Sequence, residues 1–116
     1  MRRLSLFCCL LASVACSSGN GDGELGPLAL EGKDVYQNVC IACHHGDPNR
    51  DGALGPAIAG ASEELLLARV VRGEYPPGYV PKRPDSGAMP RFPQLEGQMP
   101  ALAAYLAAVE EPAGGS

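Results

Sequence analysis

The sequence predicts an all-α fold, with three main helices and long loops wrapped around a bound prosthetic group. Three segments have helical patterns, whereas no segment reads as a convincing strand and no internal repeat occurs. The abundance of glycine and proline, 15 and 11 residues, indicates long loops. Four tyrosines and two phenylalanines are the only aromatic residues, so a domain of about 80 ordered residues would struggle to form a core unaided. A bound group is therefore expected at its centre.

The first two helices are expected on either side of a long loop. Residues 30–39 form the first helix, and residues 45–61 form a Gly/Pro-rich loop. Ser62 is a good N-cap for the second helix, because its hydroxyl can accept a hydrogen bond from the first turn. This helix continues over residues 65–72 and ends at Gly73.

A Pro-rich connection over residues 73–87 leads towards the third helix. It contains Pro76, Pro77, Pro81 and Pro84. The third helix is expected over residues 98–109, and a proline in its first turn is tolerated because the amide hydrogen it lacks would have no partner within the helix.

The first 15 residues are expected to be a removable export signal. Arg2 and Arg3 give a positive start, residues 4–15 are a short apolar run, and small residues precede Cys16. The apolar run is shorter than the roughly 20 residues that a membrane-spanning helix needs. A short buried core helix is the alternative, but the arginine pair and the polar, Gly-rich sequence after Cys16 favour export.

Cys16 follows Ala12-Ser13-Val14-Ala15, which resembles the lipobox of bacterial lipoproteins, where the cysteine is lipidated and becomes the new N-terminus. Lipidation would leave no free thiol in an oxidising compartment. Ordinary signal-peptidase cleavage after Ala15 is the alternative, and it would give a soluble periplasmic protein. We therefore expect a signal peptide over residues 1–15, a lipid-anchored flexible linker over 16–29, one domain over 30–110 and a disordered tail over 111–116.

The charge balance narrows the choice of partners. Loss of the signal would remove two arginines and no acidic residues, which leaves 7 basic and 13 acidic side chains and a formal charge of −6. An acidic surface argues against nucleic acid and anionic lipid as partners, and favours proteins that present a basic patch.

The segment Cys40-Ile41-Ala42-Cys43-His44 is the attachment signature of c-type haem. Two thiols at this spacing can each add to one vinyl group of the same porphyrin edge. The histidine that follows is then carried under the ring, where it can bind iron. Export agrees with this interpretation, because c-type haem is attached on the side of the membrane away from the cytoplasm. We predict one covalent haem c per chain, with Cys40 and Cys43 as attachment points and His44 as an iron ligand.

Two other kinds of site use the same cysteine spacing. A zinc site needs two further ligands, and after Cys16 the sequence offers only His45 outside the motif. A thioredoxin-like site follows a strand, whereas residues 30–39 read as helix. Haem is favoured over both, but a haem-free thiol-redox lipoprotein remains an open alternative.

The second axial ligand is expected to be Met89. It lies in Gly87-Ala88-Met89-Pro90, where the proline disfavours helix and helps to fix an extended segment. Met99 begins the last helix and is expected to be a packing residue. His45 is adjacent to His44 in sequence and cannot reach the opposite face of the same ring.

These residues and their neighbours resemble the class I c-type cytochromes of the small bacterial kind. The resemblance covers residues 30–109, and its elements occur in the family's order: Gly32 and Tyr36 before the haem motif, Gly55-Pro56 after it, then Met89-Pro90, and finally Leu102 and Tyr105 on the last helix. The connection over residues 73–87 is longer than the family pattern.

The resemblance implies a cytochrome c-like fold in which the N- and C-terminal helices cross closely. Gly32 would permit that approach, with Tyr36 and Tyr105 packed around it. The carbonyl of Pro56 would accept a hydrogen bond from the second ring nitrogen of His44, which fixes the orientation of a metal-binding imidazole.

The resemblance further implies a single-electron carrier rather than an enzyme. Its expected partners are a redox-protein donor and acceptor, with a membrane oxidase or reductase as one candidate, and we expect a monomer. The protein would lie in the periplasm or on the outer face of a membrane, anchored through Cys16. The alternative is a haem enzyme or a sensor of peroxide or a diatomic gas, in which Met89 dissociates from the iron.

Weaker signals have simpler explanations. Asp47-Pro48-Asn49-Arg50-Asp51-Gly52 matches the start of a calcium loop, but its twelfth position is Ile58 rather than glutamate, so turn formation is favoured. Lys82-Arg83 is expected to be a solvated pair, with partner docking or haem propionate neutralisation as the alternatives. Tyr75 and Tyr79 are expected either to cover the haem edge or simply to pack.

Overall fold

A computed structural model describes residues 25–84 and 89–112. Within these ranges the chain forms α1 (Pro27–Val39), a 3₁₀ turn (Cys40–Ala42), α2 (Glu63–Leu66) with a π-helical extension (Leu67–Arg72), a second 3₁₀ segment (Pro93–Gln98) and α3 (Met99–Ala108). No strand occurs among the described residues, and the predicted all-α class is confirmed. The predicted export signal over residues 1–15 and Cys16 lie outside the described residues.

Helix α1 begins three residues before its predicted start at residue 30. Pro27 occupies the first turn, and the amide of Leu30 donates to the carbonyl of Gly26 at 3.0 Å. Proline is well suited to this position because its φ angle is preset and its missing amide hydrogen would have no partner within the helix. The last residues of the predicted linker are therefore helical.

Helices α1 and α3 cross closely at Gly32. A Cβ atom added there would overlap the carbonyl oxygen of Ala101 and lie 2.8 Å from the Cβ of Tyr105. The rings of Tyr36 and Tyr105 pack beside the crossing, with centroids 5.7 Å apart. The close crossing that the family resemblance implied is confirmed, and any side chain at position 32 would push the two helices apart.

Helix α2 has the predicted start and end. The Ser62 hydroxyl accepts a hydrogen bond from the amide of Leu65 at 3.1 Å, and Gly73 ends the helix in the left-handed region with a φ of 71°. The last part, Leu67–Arg72, is π-helical, which the sequence did not predict. The amides of Gly73 and Glu74 both donate to the carbonyl of Ala68, the latter at 2.9 Å, so the backbone is wider here than in an α-helix.

Helix α3 was predicted over residues 98–109. The structure has a 3₁₀ segment over Pro93–Gln98, and α3 follows at Met99 with Pro100 in its first turn. The side chain of Met99 is fully buried, which confirms its predicted packing role.

The core lies where all three helices meet. Its members are mostly aliphatic and aromatic side chains: Ala29, Tyr36, Leu66, Val70, Met99, Leu102, Tyr105 and Leu106. Burial of each leucine contributes about 1.5–3 kcal/mol. Within the described ranges, no helix is long and apolar enough to cross a membrane.

Candidate haem site

The Cys40–His44 segment forms a tight turn directly after α1. The amides of Cys43 and His44 donate to the carbonyl of Cys40 at 3.2 and 2.9 Å. Cys40 also packs against the core, and Cys43 is half-buried. The turn thus fixes both thiols and the imidazole relative to α1.

His44 is oriented by the loop that follows it. Its Nδ1 atom lies 2.8 Å from the carbonyl oxygen of Pro56. Because a carbonyl only accepts, Nδ1 carries the proton and the other nitrogen, Nε2, has a lone pair for a metal. This is the contact that the family resemblance implied for Pro56.

Gly55 lies directly against the face of the imidazole. A Cβ atom at this position would lie 2.5 Å from Cε1 and 2.6 Å from Nδ1 of His44, so no other residue allows this approach. The amides of Leu54 and Gly55 both donate to the carbonyl of Cys43, at 3.2 and 3.0 Å. Loop and haem motif are therefore held together by backbone atoms.

Gly52 fits against the same segment. A Cβ atom there would lie 2.6 Å from both the carbonyl oxygen of Cys43 and the amide nitrogen of His45. Its amide donates to the carbonyl of Gly55 at 2.8 Å, which closes the loop on itself.

Tyr36 ties the same turn to the core. Its ring is fully buried, and its hydroxyl donates to the carbonyl of His45. Burial, with smaller contributions from Cys40, Tyr105 and Asp47, raises the pKa of Tyr36 well above its usual range. The hydroxyl therefore remains a donor at any physiological pH.

An apolar cleft opens beside this turn. It has about 930 Å³ of space including its mouth, and sixteen residues line it: Cys43, His44, Leu54, Gly55, Pro56, Ile58, Ala61, Leu65, Leu66, Arg69, Val70, Tyr75, Tyr79, Lys82, Arg83 and Met89. His44 and Met89, predicted as the two axial ligands, thus line one cavity, although they are 45 positions apart in sequence.

The residues of this cleft suit a haem. Its walls are largely aliphatic, and an imidazole and a thioether supply two ligands that iron accepts. The described residues contain no cluster of three or more His, Cys, Asp or Glu side chains that would hold a metal ion directly.

The thiol chemistry of Cys40 differs from that of a redox catalyst. Burial raises the pKa of Cys40 to about 11. Thiol-disulfide catalysts instead lower the pKa of the attacking cysteine so that it is a thiolate at neutral pH.

The Asp-rich loop after the haem motif is held by turn contacts. Asp47 accepts hydrogen bonds from the amide and side-chain nitrogen of Asn49, at 2.9 and 3.2 Å. Asp51 accepts from the amide of Ala57 at 2.8 Å. Both carboxylates stabilise the loop backbone, in agreement with the turn interpretation.

Asn49 joins the same loop to the C-terminal end of the domain. Its Nδ2 donates to the carbonyl of Val109 at 2.8 Å, and its Oδ1 accepts from the amide of Glu111 at 2.9 Å. Glu111 belongs to the tail that was predicted to be disordered, and the structure describes residues up to 112.

The Pro-rich connection reaches the cleft as well. Tyr75 and Tyr79 line it with their rings nearly parallel and 5.5 Å apart. Lys82 and Arg83 also line it, and Lys82 is exposed, as the solvated interpretation expects, whereas Arg83 is half-buried. Arg69 was not predicted as a site residue, and its guanidinium lies 4.8 Å from the Tyr75 ring centroid. A basic residue within an otherwise apolar stretch of α2 was the only signal for it.

Comparisons with known proteins agree with a covalently bound haem. The family model described as "Cytochrome c" matches residues 29–110. The chain is also 34% identical over 82 residues to the cytochrome bc1 complex cytochrome c subunit of Corynebacterium efficiens. The match covers 70% of this chain and 26% of that protein, so the chain spans about a quarter of the relative's length.

Proposed function

This chain belongs to the cytochrome c family, and we propose that it carries single electrons on a haem bound through Cys40 and Cys43 with His44 and Met89 as axial ligands. Members of this family are electron-transfer proteins with covalently bound haem c, and that general assignment extends to this chain. The ligands, the partners and the location are our proposals. The observation that carries the ligand assignment is that His44, Met89 and Cys43 line one apolar cleft.

The contacts of His44 orient its imidazole for binding a metal. Pro56 holds the proton on Nδ1, and the absence of a side chain at Gly55 lets the loop lie directly against the ring. A hydrogen bond from Nδ1 to a carbonyl also makes the opposite nitrogen a stronger donor to iron. These contacts favour a ligand that stays bound through many electron transfers.

Met89 supplies a soft thioether on a segment that is tied to α2. The amide of Phe92, three residues later, donates to the carbonyl of Val70 at 2.7 Å. Both Met89 and Phe92 pack against the core. These contacts support Met89 as a retained ligand, and retention of both ligands keeps the reorganisation on electron transfer small.

The residues that line the cleft influence the reduction potential of the haem. A haem iron here supplies a reversible change between ferric and ferrous states. A thioether ligand favours the ferrous state relative to a second histidine, and the aliphatic walls contributed by Leu65, Leu66 and Val70 disfavour the extra positive charge of the ferric state. We therefore expect a higher reduction potential than bis-histidine ligation would give.

We further propose that electrons pass between this protein and redox partners at a membrane. The similar protein from Corynebacterium efficiens is a subunit of a bc1 complex, which supports a partner of that kind. Export and a lipid at Cys16 would keep the carrier near such a complex. Interfaces between electron-transfer partners are small and short-lived, so a tether would compensate for weak binding.

The absorption spectrum of the ferric protein tests the ligand assignment. Met89→Leu should abolish the weak charge-transfer band that reports thioether ligation, and should leave the haem covalently attached. Met99→Leu is the matched control, because it removes a buried thioether at similar volume and should cost less than about 1.5 kcal/mol of stability.

The opposite outcome would overturn the assignment. If Met99→Leu removes the band and Met89→Leu does not, Met89 is not the ligand. Ready binding of carbon monoxide by the ferrous wild-type protein would instead favour a ligand sensor or haem enzyme. Recovery of two unmodified thiols from a host that attaches haem would favour the thiol-redox alternative.

A further inference from the structure

The end of α2 departs from α-helical geometry in a way that changes which backbone carbonyls are available. In an α-helix, the carbonyl of Val70 would accept a hydrogen bond from the amide of Glu74, four residues later. Here the amide of Glu74 donates to the carbonyl of Ala68 at 2.9 Å, and the amide of Gly73 donates to the same oxygen. The π-helical register therefore leaves the carbonyl of Val70 available to another segment of the chain.

The segment that follows Met89 uses this carbonyl. The amide of Phe92 donates to the carbonyl of Val70 at 2.7 Å, and the ring of Phe92 packs against the core. Phe92 is three residues from Met89, and an extended chain spans at most about 3.6 Å per residue. Pro90 lies between them, fixes one backbone angle and favours an extended conformation at Met89. The hydrogen bond to Val70 therefore limits how far Met89 can move from the cleft that it lines.

A second contact joins the same two segments one residue earlier. Gly73 ends α2 with a φ of 71°, and the aliphatic part of the Arg91 side chain lies across it. A Cβ atom at position 73 would lie 2.8 Å from Cγ and 2.7 Å from Cδ of Arg91. Carbon atoms in contact are normally about 3.5–4.0 Å apart, so any side chain at position 73 would displace Arg91.

Residues 91 and 92 are thus held against the end of α2 by close packing and by a hydrogen bond. We propose that Gly73 and Arg91 are positioning residues for the Met89 ligand, which dock the segment after Met89 on the π-helical end of α2 and oppose dissociation of the thioether from iron. Neither is among the described residues that line the cleft, so both act through the backbone of residues 89–92. This inference rests on the proposed function, because it requires Met89 to be an axial ligand.

Gly78 provides a matched control for the backbone conformation of Gly73. Its φ is 79°, and a Cβ atom at position 78 would meet nothing within 4 Å. Alanine at either position is therefore strained by the left-handed backbone, but only alanine at position 73 displaces Arg91. The test compares Gly73→Ala, Gly78→Ala, Arg91→Ala and the double variant Gly73→Ala/Arg91→Ala.

The first measurement is cyanide binding to the ferric, haem-loaded, full-length protein. Cyanide competes with Met89 for the iron, so its apparent affinity rises with the fraction of molecules in which the thioether has dissociated. We expect Gly73→Ala to bind cyanide about fivefold more tightly than Gly78→Ala, because the added methyl group forces Arg91 and its backbone away from α2. Intact mass and the thioether band first establish that each variant carries haem.

The variants of Arg91 separate this contact from backbone strain. Arg91→Ala should bind cyanide about threefold more tightly than the wild type, since the hydrogen bond from Phe92 to Val70 remains. Arg91→Gln keeps Cγ and Cδ and should match the wild type. The double variant should bind cyanide less tightly than Gly73→Ala, because the methyl group at position 73 then has no side chain to displace.

Hydrogen exchange of the Phe92 amide reports the same displacement without reference to the haem. Its exchange should be about fivefold faster in Gly73→Ala than in Gly78→Ala, since the bond to Val70 is weakened. The amide of Leu95 is the internal reference, because it donates to the carbonyl of Phe92 at 3.0 Å rather than to α2.

Two results would overturn this inference and leave the electron-carrier assignment in place. Equal cyanide affinities of Gly73→Ala and Gly78→Ala would show that Gly73 acts only through its backbone. A double variant that binds cyanide at least as tightly as Gly73→Ala would show that the contact with Arg91 is not the cause. If Gly73→Ala yields no haem-loaded protein, the double variant decides: recovery of that protein supports the inference, and continued loss overturns it. A thioether band that persists in Met89→Leu would instead contradict the proposed function.

Discussion

The two sides of the haem cleft are held by different kinds of contact. On the His44 side, most of the contacts are hydrogen bonds between backbone atoms. The carbonyls within residues 40–43 accept hydrogen bonds from the amides of Cys43, His44, Leu54 and Gly55. On the side formed by the Pro-rich connection that leads to Met89, the described contacts come largely from side chains, including the Tyr75–Tyr79 stack and the hydrogen bonds of Lys82 and Arg83 to the loop that follows His44. Substitutions on the first side should therefore lower the free energy of unfolding strongly, whereas substitutions on the second side should have smaller effects.

The largest effect is expected at Gly55, because its place against the imidazole leaves no room for a side chain. Gly55→Ala should destabilise the haem-loaded protein by about 3 kcal/mol and lower the yield of haem-loaded protein. Guanidinium unfolding measures the free energy. Gly46→Ala is the control, since a Cβ atom at position 46 would meet nothing within 4 Å. Equal effects of the two substitutions would contradict the tight fit at His44.

A smaller effect is expected at Tyr36, whose hydroxyl bonds to the carbonyl next to His44. Tyr36→Phe should cost about 1.5 kcal/mol, because the ring stays in the core but its hydrogen bond to His45 is lost. Tyr75→Phe removes a hydroxyl from a more exposed ring, and should change the free energy of unfolding by less than about 0.5 kcal/mol. If Tyr75→Phe lowers the free energy of unfolding more than Tyr36→Phe does, the proposed difference between the two sides of the cleft is wrong.

On the side formed by the Pro-rich connection, removal of a whole ring should cost less than the addition of one methyl group at Gly55. Tyr75→Ala loses the stack with Tyr79 and the contact with Arg69, and should destabilise the protein by about 1 kcal/mol. The thioether band should persist, because Met89 is also held through Phe92. Complete loss of that band would show that the stack, rather than the α2 contact, retains the ligand.

The smallest effect concerns acid stability. Hydrogen bonds from the amide and side chain of Asn49 lower the pKa of Asp47 below its ordinary value of 3.8. Its stabilisation is therefore fully present above the ordinary pKa and is lost as the pH falls through the lower, folded-state pKa. Because Asp47 is substantially exposed, the contribution should be a few tenths of a kcal/mol.

Asp47→Asn should remove that pH dependence. Unfolding free energies of this variant and the wild type at pH 7 and pH 3 measure the difference, and Asp34→Asn on the exposed face of α1 is the control. A wild-type protein whose stability falls no faster with acid than that of Asp47→Asn would contradict the assignment.

The features predicted correctly from the sequence are those that depend on neighbours in the chain or on one dominant residue. The Ser62 cap and the Gly73 end of α2 follow from local backbone geometry. Gly32 could be placed at the helix crossing only through the family resemblance, because a single glycine in a sequence does not indicate which helix packs against it.

The features that the sequence did not predict depend on contacts between distant segments. The half-buried position of Arg83 was not predicted, because its carbonyl partner at Gly52 is 31 positions away. The π-helical extension of α2 has ordinary helix-forming residues, so no local preference distinguishes it. The early start of α1 at Pro27 was missed because Gly26-Pro27 is equally typical of a linker.

The most direct test of the account is the intact mass of the mature protein after denaturation and extraction with acidified organic solvent. The account predicts that one haem per chain remains attached, and that Cys40→Ser together with Cys43→Ser abolishes this retention. A pigment that washes off the wild-type protein, or a mass equal to that of the chain without haem, would contradict it.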